Sequence, residues 1–392
     1  MSLIPDTIDN ITAILHHQGE ENQPFGAVSP PIFQSSIFCY SSYDDFQKAL
    51  ADESKSFLYS RGNNPTVNLL EDKVAALEKG GRAKLVSSGV AAMTMAVSAF
   101  LKQGDHIIAV EDCYTWTRYL ADTYLKRFGI ECTFVEGSCL DDFEQAVRPE
   151  TKMIILESPT TFTFKLQNLK EIAYFARGKG IKTVIDNTWA TPLFQNPLDM
   201  GIDIVTHSVS KYLGGNSDVV GGIIIGSNDD VKKIFNDEFL VNGPAPDPIM
   251  AWLVLRSLRT LHIRMPVHFE NAKTLCGFLA DHPKVESVLY PFLPEFPQYD
   301  LACLQMRGGS GLFSFRLKSR YLEDIKRFTN TLKYFKRAVS WGGYESLVFP
   351  AAVKWDDNDE IPDDRISLIR CHAGLEESSM LLDDLSRALD VV

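Results

Sequence analysis

The pattern of apolar and polar positions between residues 83 and 225 predicts strands and helices in regular alternation. Apolar runs of strand length begin near residues 83, 106, 131, 153, 183, 202 and 219. Apolar residues at helical spacing or turn residues fill the stretches between them. Such alternation is typical of a mostly parallel sheet with helices on both faces. We therefore expect an α/β fold for this part of the chain.

The pattern changes after residue 226. A helical region over 229–281 leads to four apolar runs that we expect to be strands separated by longer helices. These runs are 284–290, 311–317, 335–341 and 366–371. The change predicts a domain boundary near residue 256, with a large domain over 61–256 and a smaller α/β domain over 257–392.

Residues 1–60 precede both domains and show no sustained helical period. Pro24, Pro30 and Pro31 interrupt this segment, and proline favours extended or turn conformations. We therefore expect an N-terminal arm. On composition alone, an arm that contacts a neighbouring subunit and a loosely packed local lobe remain equal alternatives.

Composition limits the classes of partner. The chain has 392 residues, of which 23% are charged and 45% hydrophobic, as is ordinary for a soluble globular protein. A net charge of −12 argues against nucleic acid or an anionic membrane as the main partner. No apolar run approaches the ~18 residues of a membrane span, and the acidic N-terminus lacks a signal pattern, so we expect a cytoplasmic protein. The seven cysteines are scattered without metal or disulfide spacing, so no metal site is predicted.

The stretch 206–222 surrounds one lysine, Lys211, with small and hydroxylated residues between two apolar runs. A lysine in a desolvated pocket loses its proton more readily and becomes a nucleophile of the kind that forms Schiff bases. Ser208 and Ser210 offer hydroxyl donors to an anion. An ordinary lysine on a glycine-rich hairpin loop would have the same neighbours, so this stretch alone leaves both interpretations open.

Two other segments have features of an anion site. Ser88 and Gly89 fall at the predicted start of a helix, where free N–H groups favour anions, although Ser88 would also serve as a plain N-cap. Tyr59 and Arg61 would face the same side of an extended segment and could clamp a phosphate. Without further context, an ordinary exposed tyrosine and arginine are the simpler interpretation of that pair.

Three side chains in or after predicted strands are candidate ligand contacts: Tyr114, Asp186 and Arg370. The carboxyl ends of parallel strands point into the ligand crevice of an α/β sheet. A buried arginine must be paired, and a substrate carboxylate is a natural bidentate partner. The structural alternatives are a core tyrosine, an aspartate that caps a turn, and an inter-strand arginine.

The sequence around Lys211 resembles the lysine segment of the Cys/Met-metabolism family of pyridoxal-phosphate (PLP) enzymes, through S-x-S-K-Y-x-G-G-x-S-D-V-x-G-G. Further segments are similar to family motifs and follow the family's order: Y-S-R-x-x-N-P-T, E-S-P-T, I-D-N-T-W-A and S-W-G-G-Y-E-S-L. The resemblance covers nearly the whole chain. It implies the PLP-dependent transferase-like fold, that is, the aspartate aminotransferase type I fold.

The resemblance implies roles for the candidate residues. Lys211 would bind PLP covalently, Asp186 would keep the pyridine nitrogen protonated, and Tyr114 would stack on the ring. The implied phosphate site comprises Ser88, Gly89, Val90, Ser208, Ser210, Tyr59 and Arg61. Val90 stands where the family usually has Met, which leaves the backbone donors intact. The segment with Tyr59 and Arg61 would reach the cofactor of the adjoining subunit, which requires at least a dimer; the family is typically a homotetramer.

Finer features resemble the cystathionine β-lyase branch of the family. Trp341 and Thr161 are lyase-like, and residues 115–117 depart from the methionine γ-lyase pattern. The implied reaction is β-elimination from cystathionine or a related S-substituted cysteine, which gives pyruvate, ammonia and a thiol such as homocysteine.

In that reaction the substrate contacts would be Arg370 and Ser340 for the carboxylate, with Trp341 beside them. Lys211 would take the Cα proton, and Lys211, Tyr59 or Tyr114 would protonate the sulfur. A γ-lyase or γ-synthase would use the same residues around the cofactor, so that alternative stays open, as does a PLP-binding protein without turnover.

Overall fold

The computed structural model describes residues 8–21, 23–355 and 361–392. Its helices, in chain order, are α1 (Ile8–His16), α2 (Tyr43–Ala51), α3 (Pro65–Leu77), α4 (Gly89–Ser98), α5 (Thr115–Tyr119), α6 (Leu140–Ala146), α7 (Leu169–Lys179), α8 (Thr191–Phe194), α9 (Asn228–Ile234), α10 (Leu240–Asn242), α11 (Pro248–Leu258), α12 (Leu261–Ala280), α13 (Tyr299–Gln305), α14 (Leu322–Thr331), α15 (Asp363–Ile366) and α16 (Ser378–Asp390). Short 3₁₀ or π segments occur at Pro24–Gly26, Glu53–Lys55, Leu120–Tyr124, Leu125–Phe128, Pro197–Met200, Phe235–Phe239 and Ala351–Lys354. Among these described helices, none combines the length and apolar character that a membrane span needs.

The strands form two sheets. They are β1 (Arg82–Val86), β2 (His106–Val110), β3 (Glu131–Val135), β4 (Thr151–Glu157), β5 (Lys182–Asp186), β6 (Ile204–Ser208), β7 (Gly222–Gly226), β8 (Val285–Leu289), β9 (Leu312–Leu317), β10 (Lys336–Arg337), β11 (Leu347–Pro350) and β12 (Leu368–His372). The described residues form two compact units, each with one of these sheets.

The first unit comprises the described residues up to Ser158, with Gln167–Gly214 and Asp218–His262. Its seven-stranded sheet has the order β1-β7-β6-β5-β4-β2-β3. Strands β3, β2, β4, β5 and β6 run parallel, whereas β7 is antiparallel to both of its neighbours. The mostly parallel α/β arrangement expected from the pattern is confirmed.

The core of this unit explains why its strands read as continuous apolar runs. Every residue of β2 is buried, as expected for a parallel sheet covered on both faces. On one face, alternate strand residues such as Ile107, Ile155 and Ile204 pack with the buried side of α4. Each such aliphatic side chain contributes about 1.5–3 kcal/mol when fully buried. The rigid sheet that results holds the carboxyl ends of β5 and β6 beside each other.

The second unit comprises Pro159–Leu166, Gly215–Ser217 and the described residues of Ile263–Val392. Its five-stranded sheet has the order β10-β11-β12-β9-β8. Three of the four strands expected in this region are present, as β8, β9 and β12.

The expected strand over 335–341 is wrong in its length, since β10 covers only Lys336–Arg337. The chain turns out of the sheet because Ser340 and Gly342 have φ angles of 76° and 87°, which a strand does not allow. The sequence pattern also missed β11, a four-residue strand that pairs antiparallel with β12. A strand this short gives too few alternations for a period of two to be recognised.

The N-terminal segment contains two helices of nine residues each, α1 and α2, which the absence of a sustained helical period did not predict. Long-range contacts stabilise α1, because the buried Lys73 ammonium donates to the carbonyl oxygens of Ile14 and Leu15. Helix α2 begins with a local signal, an N-cap at Ser42. Residues 1–7 and Asn22 of the expected arm lie outside the described residues.

Candidate active site

The adjacent ends of β5 and β6 are joined by a chain of hydrogen bonds through Thr188. The Asp186 Oδ1 atom accepts from the Thr188 N–H at 2.9 Å and also from the Thr188 hydroxyl. The same hydroxyl accepts the Ser208 N–H at 2.9 Å. Among the described residues, nothing hydrogen-bonds to Asp186 Oδ2. The carboxylate is thus held through one oxygen, with the other able to accept a ring N–H.

The start of α4 lies against the end of β6. Ser88 is the N-cap, and its side chain accepts the Ala91 N–H at 3.1 Å, so the plain capping interpretation holds. A Cβ added to Gly89 would be 2.8 Å from the Ser208 Cβ, and one added to Gly222 would overlap the Ser88 carbonyl. Only glycine permits this approach, which brings the free N–H groups of α4 beside Ser208. The arrangement suits a phosphate group.

The lysine segment continues directly from β6. The Lys211 N–H donates to the Ser208 carbonyl at 3.1 Å, which fixes a tight turn. The Ser210 hydroxyl accepts the Gly221 N–H at 3.0 Å and lies 3.3 Å from the Gly221 carbonyl oxygen, so it joins the two sides of the hairpin. Lys211 itself is half-buried, whereas the next residue, Tyr212, is fully buried and anchors the turn.

Tyr114 is positioned by a residue that the sequence analysis did not single out. The Tyr114 N–H donates to the Glu157 Oε2 atom at 2.7 Å. Glu157 is buried at the end of β4, in register with Asp186 on β5. Tyr114 is 43% exposed, and this hydrogen bond fixes its backbone beside the end of β4. The sequence contained one signal for Glu157, because it is a carboxylate at the end of a predicted strand and belongs to the E-S-P-T motif.

Tyr59 forms an isolated antiparallel bridge with Ile37 and begins a turn that contains Arg61, so the extended segment expected for the pair ends at Tyr59. The Gly62 N–H donates to the Tyr59 carbonyl at 2.8 Å, and the Arg61 guanidinium lies 5.4 Å from the Tyr59 ring centre. Their proximity therefore comes from a turn and a cation–π contact. Within the described residues, neither side chain is hydrogen-bonded to the groups around Lys211.

The predicted substrate contacts Arg370, Ser340 and Trp341 all belong to the second unit. The Arg370 guanidinium lies 4.9 Å from the Phe162 ring centre and 5.2 Å from that of Phe349. Neither aromatic residue was anticipated, because Phe162 and Phe349 are distant from Arg370 in sequence. Ser340 is exposed and Trp341 half-buried.

A histidine holds the segment that follows Trp341. The His372 Nε2 atom accepts the Gly342 N–H at 3.1 Å, and its Nδ1 atom lies 3.0 Å from the Glu345 carbonyl oxygen. A carbonyl can only accept, so the neutral Nδ1–H tautomer satisfies both contacts. His372 is buried on β12, two residues beyond Arg370, and was missed because nothing local marks it.

These residues fit PLP. A phosphate suits the glycine-lined start of α4, a protonated pyridine nitrogen suits Asp186 Oδ2, and a carbonyl carbon suits the Lys211 amine. Among the described residues, no group of three or more His, Cys, Asp or Glu could hold a metal ion.

Known proteins are similar over almost the full chain. Residues 11–390 match the family described as "Cys/Met metabolism PLP-dependent enzyme". Cystathionine γ-synthase of Mycobacterium tuberculosis (strain ATCC 25618 / H37Rv) is 39% identical over 383 residues, which are 95% of each chain. Cystathionine γ-lyase of Dictyostelium discoideum is 36% identical over 388 residues, 97% of each chain. The crystal structure of MetB from Corynebacterium glutamicum has a TM-score of 0.89 at 33% identity and covers 97% of each chain.

The comparisons confirm the expected fold and cofactor and refine the expected activity. The named relatives are γ-synthases and γ-lyases, so they favour the γ-acting alternative over the predicted β-lyase without excluding β-elimination. The PLP-dependent transferase-like fold is shown by the structural match. The chain belongs to the Cys/Met metabolism PLP-dependent enzyme family.

Proposed function

We propose that this PLP enzyme makes or breaks a bond at Cγ of a sulfur amino acid, as a cystathionine γ-synthase or γ-lyase does. The observation that carries the proposal is the identity of 39% and 36% with two such enzymes over at least 95% of each chain. The arrangement of Asp186, Ser208 and Lys211 supports it, because those residues fit the cofactor that this chemistry needs.

The cofactor, when bound, is an electron sink that stabilises negative charge at the substrate Cα. Asp186 Oδ2 would accept the ring N–H and so would keep the ring positively charged. Ser208 and the start of α4 would hold the phosphate, and Tyr114 would supply an aromatic ring to cover the cofactor. Lys211 takes the Cα proton. Expulsion of a group from Cγ requires a second proton to leave Cβ, for which Lys211 is again the base.

The substrate α-carboxylate is assigned to Arg370. The Arg370 guanidinium lies over the Phe162 and Phe349 rings, and a guanidinium binds a carboxylate bidentately. Such charged hydrogen bonds contribute about 1.5–3 kcal/mol. Ser340 and Trp341 are assigned to the same substrate, on the segment that His372 holds.

The second candidate is β-elimination from cystathionine, which Trp341 favours. A bulky aromatic residue there resembles the β-lyases, whose γ-acting relatives tend to have a smaller aliphatic residue. In that case only the Cα proton has to leave, and Tyr59 or Tyr114 would protonate the departing sulfur.

Product analysis separates the two candidates. The purified, PLP-loaded enzyme is given L-cystathionine, and separately an O-acylated homoserine with L-cysteine. We expect cysteine with 2-oxobutyrate in the first reaction, or cystathionine in the second, and neither with the Lys211→Ala variant. Homocysteine with pyruvate as the only products would replace the γ-assignment by β-elimination. No product in either reaction, with PLP bound, would reject cystathionine chemistry altogether.

A further inference from the structure

A fully buried lysine stands in strand β1, between Ala83 and Leu85. The Lys84 ammonium lies 3.2 Å from the Glu71 Oε1 atom on α3, and the same oxygen accepts the Leu85 N–H at 2.8 Å. Burial lowers the pKa of Lys84 and raises the pKa of Glu71, and the charge of each group opposes that effect on the other. The two side chains therefore form an ion pair inside the first unit.

The Lys84 ammonium also holds a turn that is distant from it in sequence. It donates to the Gly62 carbonyl at 2.6 Å and to the Asn63 Oδ1 atom at 3.3 Å. The Asn63 side-chain amide donates in turn to two backbone carbonyl oxygens, at 2.7 Å and 3.2 Å. Gly62 and Asn63 are buried, so these hydrogen bonds are shielded from water. They fix the backbone that directly follows Arg61.

Two aromatic rings of the first unit contact the same ammonium. The Lys84 Nζ atom lies 5.2 Å from the ring centre of Phe235 and 4.7 Å from that of Phe239. Both rings are buried, and they stack on each other at 5.6 Å. Such cation–π contacts favour the charged form of the lysine. Lys84 thus joins β1, α3, the turn after Arg61 and the π segment Phe235–Phe239.

Stability alone is a weak explanation for this arrangement. Burying an ion pair costs so much desolvation that apolar side chains of similar volume are often as stabilising or more so. What the pair adds is a defined position for its hydrogen-bonding partners, here the backbone of Gly62 and the side chain of Asn63. Arg61 beside them is exposed, and its guanidinium lies 3.9 Å from the Glu53 Oε1 atom. The network therefore fixes the base of an arginine whose charge remains at the surface.

We propose that Lys84, held by Glu71, is a positioning residue that presents Arg61 to the PLP phosphate of an adjoining subunit. This inference rests on the proposed function, in which PLP is the cofactor, and on the motif that assigns Arg61 to that phosphate. Arginine binds a phosphate through a planar fork of N–H groups, so the binding depends on where the backbone holds the side chain. The buried pair supplies that backbone position from the sheet.

A double substitution removes this anchor without leaving a buried charge unpaired. Lys84→Met and Glu71→Gln together eliminate both charges and the hydrogen bonds to Gly62 and Asn63, while the glutamine can still accept a backbone N–H. We expect faster hydrogen–deuterium exchange at Gly62 and Asn63, whose N–H groups both donate to the Tyr59 carbonyl. The dissociation constant of PLP, measured by equilibrium dialysis, should rise about fivefold, as expected for partial loss of one charged hydrogen bond.

Asn63→Ala reaches the same turn by a second route. It removes one hydrogen bond with Lys84 and the two to backbone carbonyl oxygens without changing a buried charge. It should raise the exchange rate at Gly62 and the PLP dissociation constant in the same direction. The test therefore stands even if the Lys84→Met/Glu71→Gln variant does not fold.

A double-mutant cycle tests whether the anchor acts through Arg61. Arg61→Ala by itself should raise the PLP dissociation constant about tenfold or more. In the Arg61→Ala background, Lys84→Met with Glu71→Gln should change that constant by less than about twofold, because the group that they position is already absent. A merely structural role would give the same loss of affinity in both backgrounds.

Another buried lysine–glutamate pair of the same unit is the matched control. Lys73 is fully buried, donates to two carbonyl oxygens of α1 and lies 3.1 Å from Glu20. Lys73→Met with Glu20→Gln removes the same charges but loosens α1 instead of the turn after Arg61. This variant should melt at a lower temperature, with a PLP dissociation constant within about twofold of the native value.

Three results would overturn the inference. They are unchanged PLP affinity in the Lys84→Met/Glu71→Gln variant, an equal loss of affinity in the Lys73→Met/Glu20→Gln control, and effects that add to that of Arg61→Ala. If Arg61→Ala leaves PLP affinity unchanged, the inference fails together with the phosphate role of Arg61. The expected PLP affinities without any cystathionine chemistry would reject the proposed function and leave the anchor in place.

Discussion

At the scale of single residues, Thr188 links two residues that we assign to the cofactor, and although it lies in the I-D-N-T-W-A motif, no role was predicted for it. Its hydroxyl donates to Asp186 and accepts from the Ser208 N–H. One side chain thereby couples the residue proposed for the pyridine nitrogen to a residue proposed for the phosphate. Thr183 makes the same two kinds of hydrogen bond to Asp203, at the other end of β5.

This symmetry makes a matched test possible. Thr188→Val removes both hydrogen bonds but keeps the shape, and loss of a buried hydrogen bond costs about 1–3 kcal/mol. We expect the PLP dissociation constant of the apoenzyme, measured by equilibrium dialysis, to rise about tenfold or more. Thr183→Val should lower the melting temperature without changing PLP affinity. Equal PLP affinity in both variants would show that Thr188 has only a structural role.

At the scale of elements, strand β12 and the residues just after it hydrogen-bond to the segment between β10 and β11, residues 338–346. His372 binds its backbone at Gly342 and Glu345, and Glu376 accepts from the Ser346 N–H at 2.9 Å. Ser340 has a positive φ in this segment, a strained conformation that persists only where the surroundings enforce it. The strand that carries Arg370 thus also orders the segment that carries Ser340 and Trp341.

Substitution of His372 tests this coupling. His372→Asn keeps a donor for the Glu345 carbonyl but lacks the acceptor for the Gly342 N–H, which His372→Gln can supply. We expect faster hydrogen–deuterium exchange at Gly342 and a KM for the amino-acid substrate raised about tenfold in the Asn variant, with kcat less affected. The His372→Gln variant should partly restore both the slow exchange at Gly342 and the native KM.

A buried histidine of the first unit provides the control. His106 hydrogen-bonds through both ring nitrogens, to Thr151 at 2.8 Å and Thr133 at 2.9 Å. His106→Asn should destabilise the protein without a change in KM. Unchanged exchange at Gly342 in the His372→Asn variant would contradict the positioning role.

At the scale of the whole molecule, the described part of the N-terminal segment exposes large apolar side chains. Phe25 and Val28 are 107% and 94% exposed, and Ile37, Tyr43 and Leu50 are also exposed. Contiguous apolar surface is a feature of protein interfaces. Tyr59 and Arg61 follow on the same segment and are exposed too. We propose that this segment packs on a second copy of the chain and that Arg61 completes the partner's phosphate site.

Mixing two inactive variants tests the exchange of residues between subunits. Lys211→Ala and Arg61→Ala chains, unfolded and refolded together, should regain about a quarter of native activity, because half of random dimers are mixed and have one intact site of two. A mixture of the Lys211→Ala chain with a chain carrying both substitutions should stay inactive. If the first mixture also stays inactive, Arg61 does not act across subunits.

The local sequence determined those parts of this protein that depend on neighbouring residues. Apolar runs marked β2, β4, β5 and β6 because a parallel sheet buries both faces of each strand. Turn and cap residues placed Ser88 at a helix start, and the motif around Lys211 was sufficient to identify the cofactor. A short element such as β11 could not be predicted, because it has too few residues to show a period.

Tertiary structure alone decided the contacts between residues that are far apart in sequence. Three contacts depend on which strands and segments become neighbours: the Tyr114 N–H to Glu157, the Ser208 N–H to Thr188, and the cation–π contact of Arg370 with Phe162. The period of apolar residues in a sequence indicates which face of an element is buried. It does not indicate which other element packs against that face. The cofactor could therefore be inferred from motifs, whereas the residues that hold Asp186, Tyr114 and the segment with Ser340 in place required the fold.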